Sequence, residues 1–378
     1  MKGVEFFSLK NEINLLKDEI LQEVNKVLES GKFIMSSNVQ EFENQICKYF
    51  GVKYAVSVNS GTDALVISLR AAGIKPGDEV ITTPFTFFAT AEAISIIGAI
   101  PVFVDIDEAT FNIDANRIEE KITSKTKAIL PVHLFGLPCD MEKIMDIARR
   151  YDLVVIEDNA QGFGSEVKIN GRFVKTGTIG HAGAFSFFPT KNLGAYGDGG
   201  IIITNDDNIF EKASMLKNHG SRIKYYNEML GYNSRLDEIQ AAILKVKLKY
   251  VEKFNESRIT IAHRYTQALQ GLNEYIAVPY YDSTKYKHVF HQYSIKVKNG
   301  LRDNFREFLN KNGINTFVYY PYPIHKLPVY RDMGYSLPVS ERIAQEIVSL
   351  PMYHLMEIEK VDYIVSKIKE WVHSLSFR

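Results

Sequence analysis

The chain has 378 residues, 46% of them hydrophobic, which is enough to bury a large core and more than one core usually holds. Lys plus Arg equals Asp plus Glu at 45 each, so no global field draws the protein to nucleic acid or to an anionic membrane, and the expected partners are small molecules and another copy of itself. Cys47 and Cys139 stand at no metal or redox spacing and suit a reducing, cytoplasmic setting; residues 1–7 contain no signal-peptide core, and no apolar run has the length of a membrane span.

In chain order the first elements are amphipathic helical patterns at 12–28 and 39–50. From about residue 50 to 205, seven short apolar runs alternate with helical patterns: 54–58, 79–82, 101–106, 128–133, 153–157, 182–187 and 200–204. Strands alternating with helices predict an α/β architecture with a mostly parallel sheet covered on both faces. After the first run, Ser60-Gly61-Thr62-Asp63-Ala64-Leu65 reads as a strand-to-helix turn. Its backbone N–H groups and helix dipole suit a phosphate, although Asp63 does not, and the same residues serve an ordinary capped helix. Phe87, in Thr83-Pro84-Phe85-Thr86-Phe87-Phe88, could lie on a planar ring or be plain core.

The fifth run ends in Glu157-Asp158-Asn159-Ala160-Gln161, and ligands of open α/β sheets sit beyond such carboxyl ends. Asp158 there is either an acidic partner for a bound heterocycle or a helix N-cap. Next comes Ser186-Phe187-Phe188-Pro189-Thr190-Lys191-Asn192-Leu193, before the glycine-rich 194–200. By itself Lys191 reads first as a surface lysine. Among these apolar and small residues it can instead lose its preference for the ammonium form and become a nucleophilic amine.

A long helical pattern starts near Arg235 and runs toward Tyr265, bridging to a compact α+β region with a strand at 289–297, a helix at 303–312, a short strand at 315–319 and two further helices. This places the large domain at 1–250 and the small one at 251–378. His133, His288 and His291 have no partner at metal-ligand spacing, so no metal is expected.

These segments in this order, together with Gly77-Asp78-Glu79-Val80-Ile81, Pro131-Val132-His133-Leu134-Phe135-Gly136 and Gly231-Tyr232-Asn233-Ser234-Arg235-Leu236-Asp237, resemble the DegT/DnrJ/StrS group of nucleotide-sugar aminotransferases on the aspartate aminotransferase fold. The resemblance runs from about Phe7 to about Leu355. It implies a fold-type-I large domain with a seven-stranded sheet, pyridoxal 5'-phosphate as cofactor, and a homodimer with shared active sites. It further implies that Lys191 is the Schiff-base lysine and proton carrier, Asp158 the pyridinium partner, Gln161 the contact of the ring hydroxyl and Phe87 the stacking aromatic. Gly61, Thr62 and Ser186 match the phosphate cradle, with Asn233 reaching the phosphate from the neighbouring subunit.

L-glutamate is the implied amino donor and a nucleotide-linked keto sugar the acceptor. Val318-Tyr319-Tyr320-Pro321-Tyr322-Pro323-Ile324-His325 and Gly220-Ser221-Arg222-Ile223-Lys224-Tyr225 are similar to segments of members that aminate C3, so a dTDP- or UDP-linked 3-keto sugar is favoured over a 4-keto one. Tyr225, Tyr320 and His325 are then candidates for sugar or nucleotide contact, although Tyr320 and His325 equally suit a packed proline-rich connection. Related sugar dehydratases carry histidine in place of the lysine, so Lys191 favours transamination; a regulatory homologue should have lost part of the site. Ser36, where relatives often have glycine, and Asn159, where many have a small residue, depart from the pattern.

Overall fold

The computed structural model describes residues 3–375. Seven strands build the central sheet: β1 (Tyr54–Val58), β2 (Glu79–Thr82), β3 (Ile100–Phe103), β4 (Thr126–Leu130), β5 (Val154–Asp158), β6 (Ala182–Ser186) and β7 (Gly200–Thr204). Their order is β1-β7-β6-β5-β4-β2-β3. β7 runs antiparallel to both of its neighbours, and the other pairs are parallel.

Burial on both faces explains why these runs are continuously apolar. Ile202 of β7 packs with Val56, Leu65 and Ile156 on one side, while Ile201 and Ile203 pack with Phe42, Phe185 and Leu244 on the other. Helices Gly61–Ala71 and Asp207–Leu216 cover the first face, and Ser37–Phe50 and Glu238–Leu248 the second. The spacing of buried Val39, Phe42, Ile46 and Phe50 puts them on one stripe of the helix.

Two strand ends differ from the apolar pattern. β3 stops at Phe103, and Asp105 folds its carboxylate back onto the Ile106 N–H at 2.9 Å, a local bond that competes with the ladder. β4 stops at Leu130 because Pro131 has no N–H to donate. Pairing resumes beyond it: the Asp158 N–H donates to the Pro131 carbonyl at 2.9 Å and the His133 N–H to the Asp158 carbonyl at 3.1 Å, so the tip of β5 is held on this side by its neighbour.

The helix expected from 235 toward 265 is two helices, Glu238–Leu248 and Val251–Leu269. Between them the Tyr250 N–H bonds to the Lys247 carbonyl at 3.0 Å, an i to i−3 turn that re-aims the chain. The apolar faces on the two sides have different partners: Ile243 and Val246 meet Leu16 and Ile20 of helix Lys10–Ser30, whereas Ile261 and Tyr265 meet Tyr293 and Trp371.

The C-terminal region carries a three-stranded antiparallel sheet of Ile276–Ala277, Tyr293–Val297 and Ile347–Leu350, with helices Arg302–Lys311, Pro338–Glu346 and Ile358–Leu375. The strand expected at 289–297 begins only at Tyr293, because Val289 and His291 donate instead to the carbonyls of Gly136 (3.1 Å) and Phe135 (2.8 Å). The expected strand at 315–319 is a single bridge from Phe317 to Ser349. Among the described residues no helix is long and apolar enough to cross a membrane.

Candidate active site

A cavity of about 390 Å³ opens at the carboxyl ends of the parallel strands, and Gly61, Thr62, Phe87, Asp158, Gln161, Ser186, Lys191 and Tyr320 all line it. One wall is the start of helix Gly61–Ala71. Ser60 caps it, its hydroxyl accepting from the Asp63 N–H at 3.1 Å, while Gly61 and Thr62 carry N–H groups that the helix itself cannot pair. A Cβ on Gly61 would stand 2.6 Å from the Ser186 Cβ, so glycine is what lets the β6 end and its hydroxyl close on the helix start.

Asp158 ends β5 and is 5% exposed. The Thr90 hydroxyl donates to Oδ2 at 2.8 Å and the Ala160 N–H to Oδ1 at 3.2 Å. Burial raises the Asp158 carboxyl above its ordinary range, against the pull of the Thr90 and Ala160 hydrogen bonds and the Lys191 charge. The neighbouring Glu157 points to the other side of the strand. There it accepts from the N–H groups of Gly177 (2.7 Å), Ile179 (2.8 Å) and Gly180 (2.7 Å) and from His133 Nε2 at 2.9 Å. His133 Nδ1 accepts the Cys139 N–H at 3.1 Å, so the ring proton sits on Nε2 and His133 is a structural residue.

Lys191 follows a turn closed by its own N–H to the Phe188 carbonyl at 2.9 Å. Its ammonium makes no hydrogen bond or ion pair with another described residue. Burial lowers its pKa from 10.5 to about 8, opposed by the Asp158 charge, so about a tenth of the amine is free base at pH 7. A cavity-facing amine of this kind can add to a carbonyl.

Gln161 is engaged at both ends, accepting the Phe135 N–H at 2.6 Å and donating to the Tyr320 hydroxyl at 3.1 Å. Phe87 is 59% exposed, so it is not the plain core residue that composition alone favoured.

Three named candidates lie outside this wall. His325 is a correction: it is 1% exposed, with Nε2 3.0 Å from Glu341 Oε1, and it fastens the proline-rich connection to helix Pro338–Glu346. Tyr225 is 88% exposed at the turn between Ser221–Ile223 and Tyr226–Asn227. Asn233 is exposed and bridges to Asn218 away from this chain's own cavity.

Thr90, His291 and Gln292 also line the cavity. Thr90 is an ordinary helix residue in sequence, and His291 carries no ligand spacing; both become site residues only through contacts distant in the chain. Of the two departures, Ser36 gives its N–H to Glu238 Oε1 at 2.6 Å, and Asn159 accepts from the Thr176 hydroxyl at 3.0 Å, so Asn159 binds away from the Asp158 carboxylate.

The DegT/DnrJ/EryC1/StrS aminotransferase family matches residues 14–369. A pleiotropic regulatory protein of Geobacillus stearothermophilus is 48% identical over 98% of both chains. The dTDP-3-amino-3,6-dideoxy-alpha-D-galactopyranose transaminase of Aneurinibacillus thermoaerophilus is 44% identical over 97% of this chain and 99% of its own. The crystal structure of DesV of S. venezuelae, in complex with a ketimine intermediate, superposes with a TM-score of 0.93 at 37% identity, covering 98% of this chain and 99% of that one. With matches of this length and a cavity of this chemistry, the chain belongs to the DegT/DnrJ/EryC1/StrS aminotransferase family.

Proposed function

We propose that the protein transfers an amino group from an amino acid, L-glutamate by family resemblance, to C3 of a nucleotide-linked keto sugar of the dTDP-3-keto-6-deoxyhexose kind, using pyridoxal 5'-phosphate. The observation that carries this reading is an unpaired Lys191 amine in the same cavity as a buried, hydrogen-bonded Asp158 carboxylate. The residues present fit the cofactor. Gly61, Thr62 and Ser186 would hold its phosphate, Asp158 its ring nitrogen and Phe87 a ring face, while Gln161 keeps Tyr320 at the cavity wall. When bound, the cofactor supplies an electron sink for the carbon that carries the transferred amino group. Lys191 then takes the proton from the donor carbon and returns it on the acceptor side, so one amine serves as base and acid in two half-reactions with ping-pong kinetics.

The C3 position rests on the 3-amino sugar for which the Aneurinibacillus relative is named and on the two segments that hold Tyr225 and Tyr320. A 4-keto acceptor is the alternative. The reading includes a homodimer in which Asn233 completes the neighbour's site. Exposed Phe33, Ile34, Met35, Tyr225 and Tyr226 supply apolar surface for such an interface. It also includes a cytoplasmic location, which the two free cysteines suit, and a boundary between large and small domains at the helix break near residue 250.

The test is an absorbance spectrum of the purified protein with pyridoxal phosphate, then L-glutamate, then a panel of dTDP- and UDP-linked 3-keto and 4-keto sugars. A visible band that glutamate discharges and one 3-keto sugar restores is the expected result. Absence of the band removes Lys191 from its role and favours the second reading, a regulatory protein, which the Geobacillus relative's name motivates. Mixing Asn233→Ala chains with Lys191→Ala chains should rescue a fraction of sites; no rescue would count against the shared site.

A further inference from the structure

Gln161 and Tyr320 meet at the cavity wall from positions 159 residues apart, and the hydrogen bonds around them fix which group donates. A backbone N–H can only donate, so the Phe135 N–H at 2.6 Å identifies the Gln161 atom it meets as Oε1. Nε2 is then the donor, and one of its hydrogens goes to the Tyr320 hydroxyl at 3.1 Å. The other has no partner among the described residues, and Gln161 lines the cavity.

Both holders of the amide are themselves anchored. The Phe135 carbonyl accepts the His291 N–H at 2.8 Å, and Phe135 sits at φ 57°, a left-handed conformation that a bulky residue keeps only when its surroundings impose it. The Tyr320 ring packs edge-on against Phe85 with centroids 6.2 Å apart, and Val318, Tyr319 and Val339 pack in the same cluster with buried Ile343 and Ile347. Burial raises the Tyr320 phenol pKa; the Gln161 hydrogen bond opposes the rise and the Asp158 charge adds to it, so the phenol stays neutral.

We infer that Tyr320 is a positioning residue, which turns the Gln161 amide so that its free N–H donates to the ring oxygen of pyridoxal 5'-phosphate. The inference rests on the cofactor reading above and deepens it. The family resemblance assigns Tyr320 to the sugar or nucleotide, whereas its hydrogen bond ties it to the cofactor edge through Gln161. Without Tyr320 this long side chain keeps only the Phe135 bond, about which its amide can swing. A donor on the ring oxygen draws charge from it and loosens its hold on the proton of the nearby nitrogen that joins the cofactor to Lys191. The pH at which that proton leaves is thereby kept low, and removing the donor raises it.

The test uses the full-length protein loaded with pyridoxal 5'-phosphate and reads the pH midpoint of its visible band with no substrate present. Wild type, Gln161→Ala, Tyr320→Phe and the double variant are compared. Gln161→Ala should raise the midpoint by about one unit, and Tyr320→Phe, which keeps the ring but not the hydroxyl, by a smaller amount in the same direction. The double variant should match Gln161→Ala, since Tyr320 acts only through the amide. The other titratable residues lining the cavity, Asp158, Lys191, Asp198, His291 and Tyr319, are the same in all four proteins, so the shift reports the donor. An unmoved midpoint in either single variant overturns the inference. Shifts that add in the double variant overturn it too, because Tyr320 would then act on the cofactor by itself. A wild-type protein with no visible band sinks the cofactor reading instead, so the two failures are distinguishable. Unfolding curves confirm that each variant is folded before it is titrated.

Discussion

Two lysines whose pKa the fold lowers invite comparison. Lys191 stands in the cavity with its amine unpaired. Lys247 is 1% exposed and lies 2.8 Å from Glu12 Oε1, in a cluster where the Tyr196 hydroxyl donates to the same oxygen at 3.0 Å and His354 Nε2 lies 2.8 Å from Glu12 Oε2. Burial lowers both lysine pKa values, and in both a carboxylate opposes the shift. Burial also pushes the Glu12 carboxyl up, but hydrogen bonding and charge from His354 and Lys247 outweigh it and leave the carboxyl lowered. The difference between the regions is direct contact. Lys247 is satisfied where it sits and ties helix Lys10–Ser30 to helix Glu238–Leu248, so its charge serves the fold. Lys191 has no such partner among the described residues, and a deficit of that kind is what the proposed reactivity of its amine requires.

The sharpest way to break this comparison is to remove each lysine. Lys191→Ala is expected to lower turnover by roughly 10⁴-fold or more in a transamination assay, with the chain still folded. Retained turnover would dissolve the contrast. Lys247→Ala should do the reverse, costing roughly 3–5 kcal/mol in a denaturant titration because Glu12 is left buried without its cation, while turnover per folded molecule stays close to wild type. Replacing both members, Glu12→Gln with Lys247→Met, should recover much of that loss.

The pH dependence of stability sharpens the point. For Lys191 the folded pKa of about 8 lies below the ordinary 10.5, so between these values the unfolded chain holds a proton that the folded chain does not. Stability should therefore rise with pH across that window, and the burial cost is present in full below it. Lys191→Met should flatten that slope and add up to about 3 kcal/mol at pH 7, checked by denaturant titrations at several pH values.

Asp158→Asn tests the partner in the cavity. Cofactor should still attach to Lys191, but turnover should fall by about two orders of magnitude in steady-state kinetics, since a neutral amide cannot hold a ring nitrogen protonated. The smallest effect is expected from Thr90→Val. It removes the 2.8 Å hydrogen bond that favours the Asp158 carboxylate, so the carboxyl pKa rises further and the acid limb of the kcat/KM profile moves to higher pH, with turnover at neutral pH lowered by about tenfold at most. An acid limb unmoved by this change would remove Thr90 from any tuning role.

The large sheet was legible because its strands are buried on both faces and so appear as unbroken apolar runs; Gly200–Thr204 is an example with every residue buried. The C-terminal region was harder to read. Ile347–Leu350 follows helix Pro338–Glu346 without a break, and its strand state comes from pairing with Tyr293–Val297, far away in the chain. The break at Lys249–Tyr250 was equally hidden, since the apolar period continues through it and only the change of packing partner demands the turn.

In the cavity, the residues named from the order of short segments, Lys191, Asp158, Gln161, Gly61, Thr62, Ser186, Phe87 and Tyr320, lie along one wall system. Histidine was the residue type that sequence treated worst. His325, in a suggestive segment, is bound to Glu341, whereas His291, in an unremarked one, faces the cavity.

By itself the sequence determined the alternation of strands and helices and the acidic strand end at Asp158, which follow from residue type and local spacing, while Lys191 was marked as a reactive amine only by the family resemblance of the ordered segments. Only the tertiary structure decided which polar side chains are satisfied. Glu12 with Lys247, Thr90 with Asp158 and Asn192 with His291 are each more than sixty residues apart, and whether a buried group is quiet or reactive depends on the partner that folding brings to it.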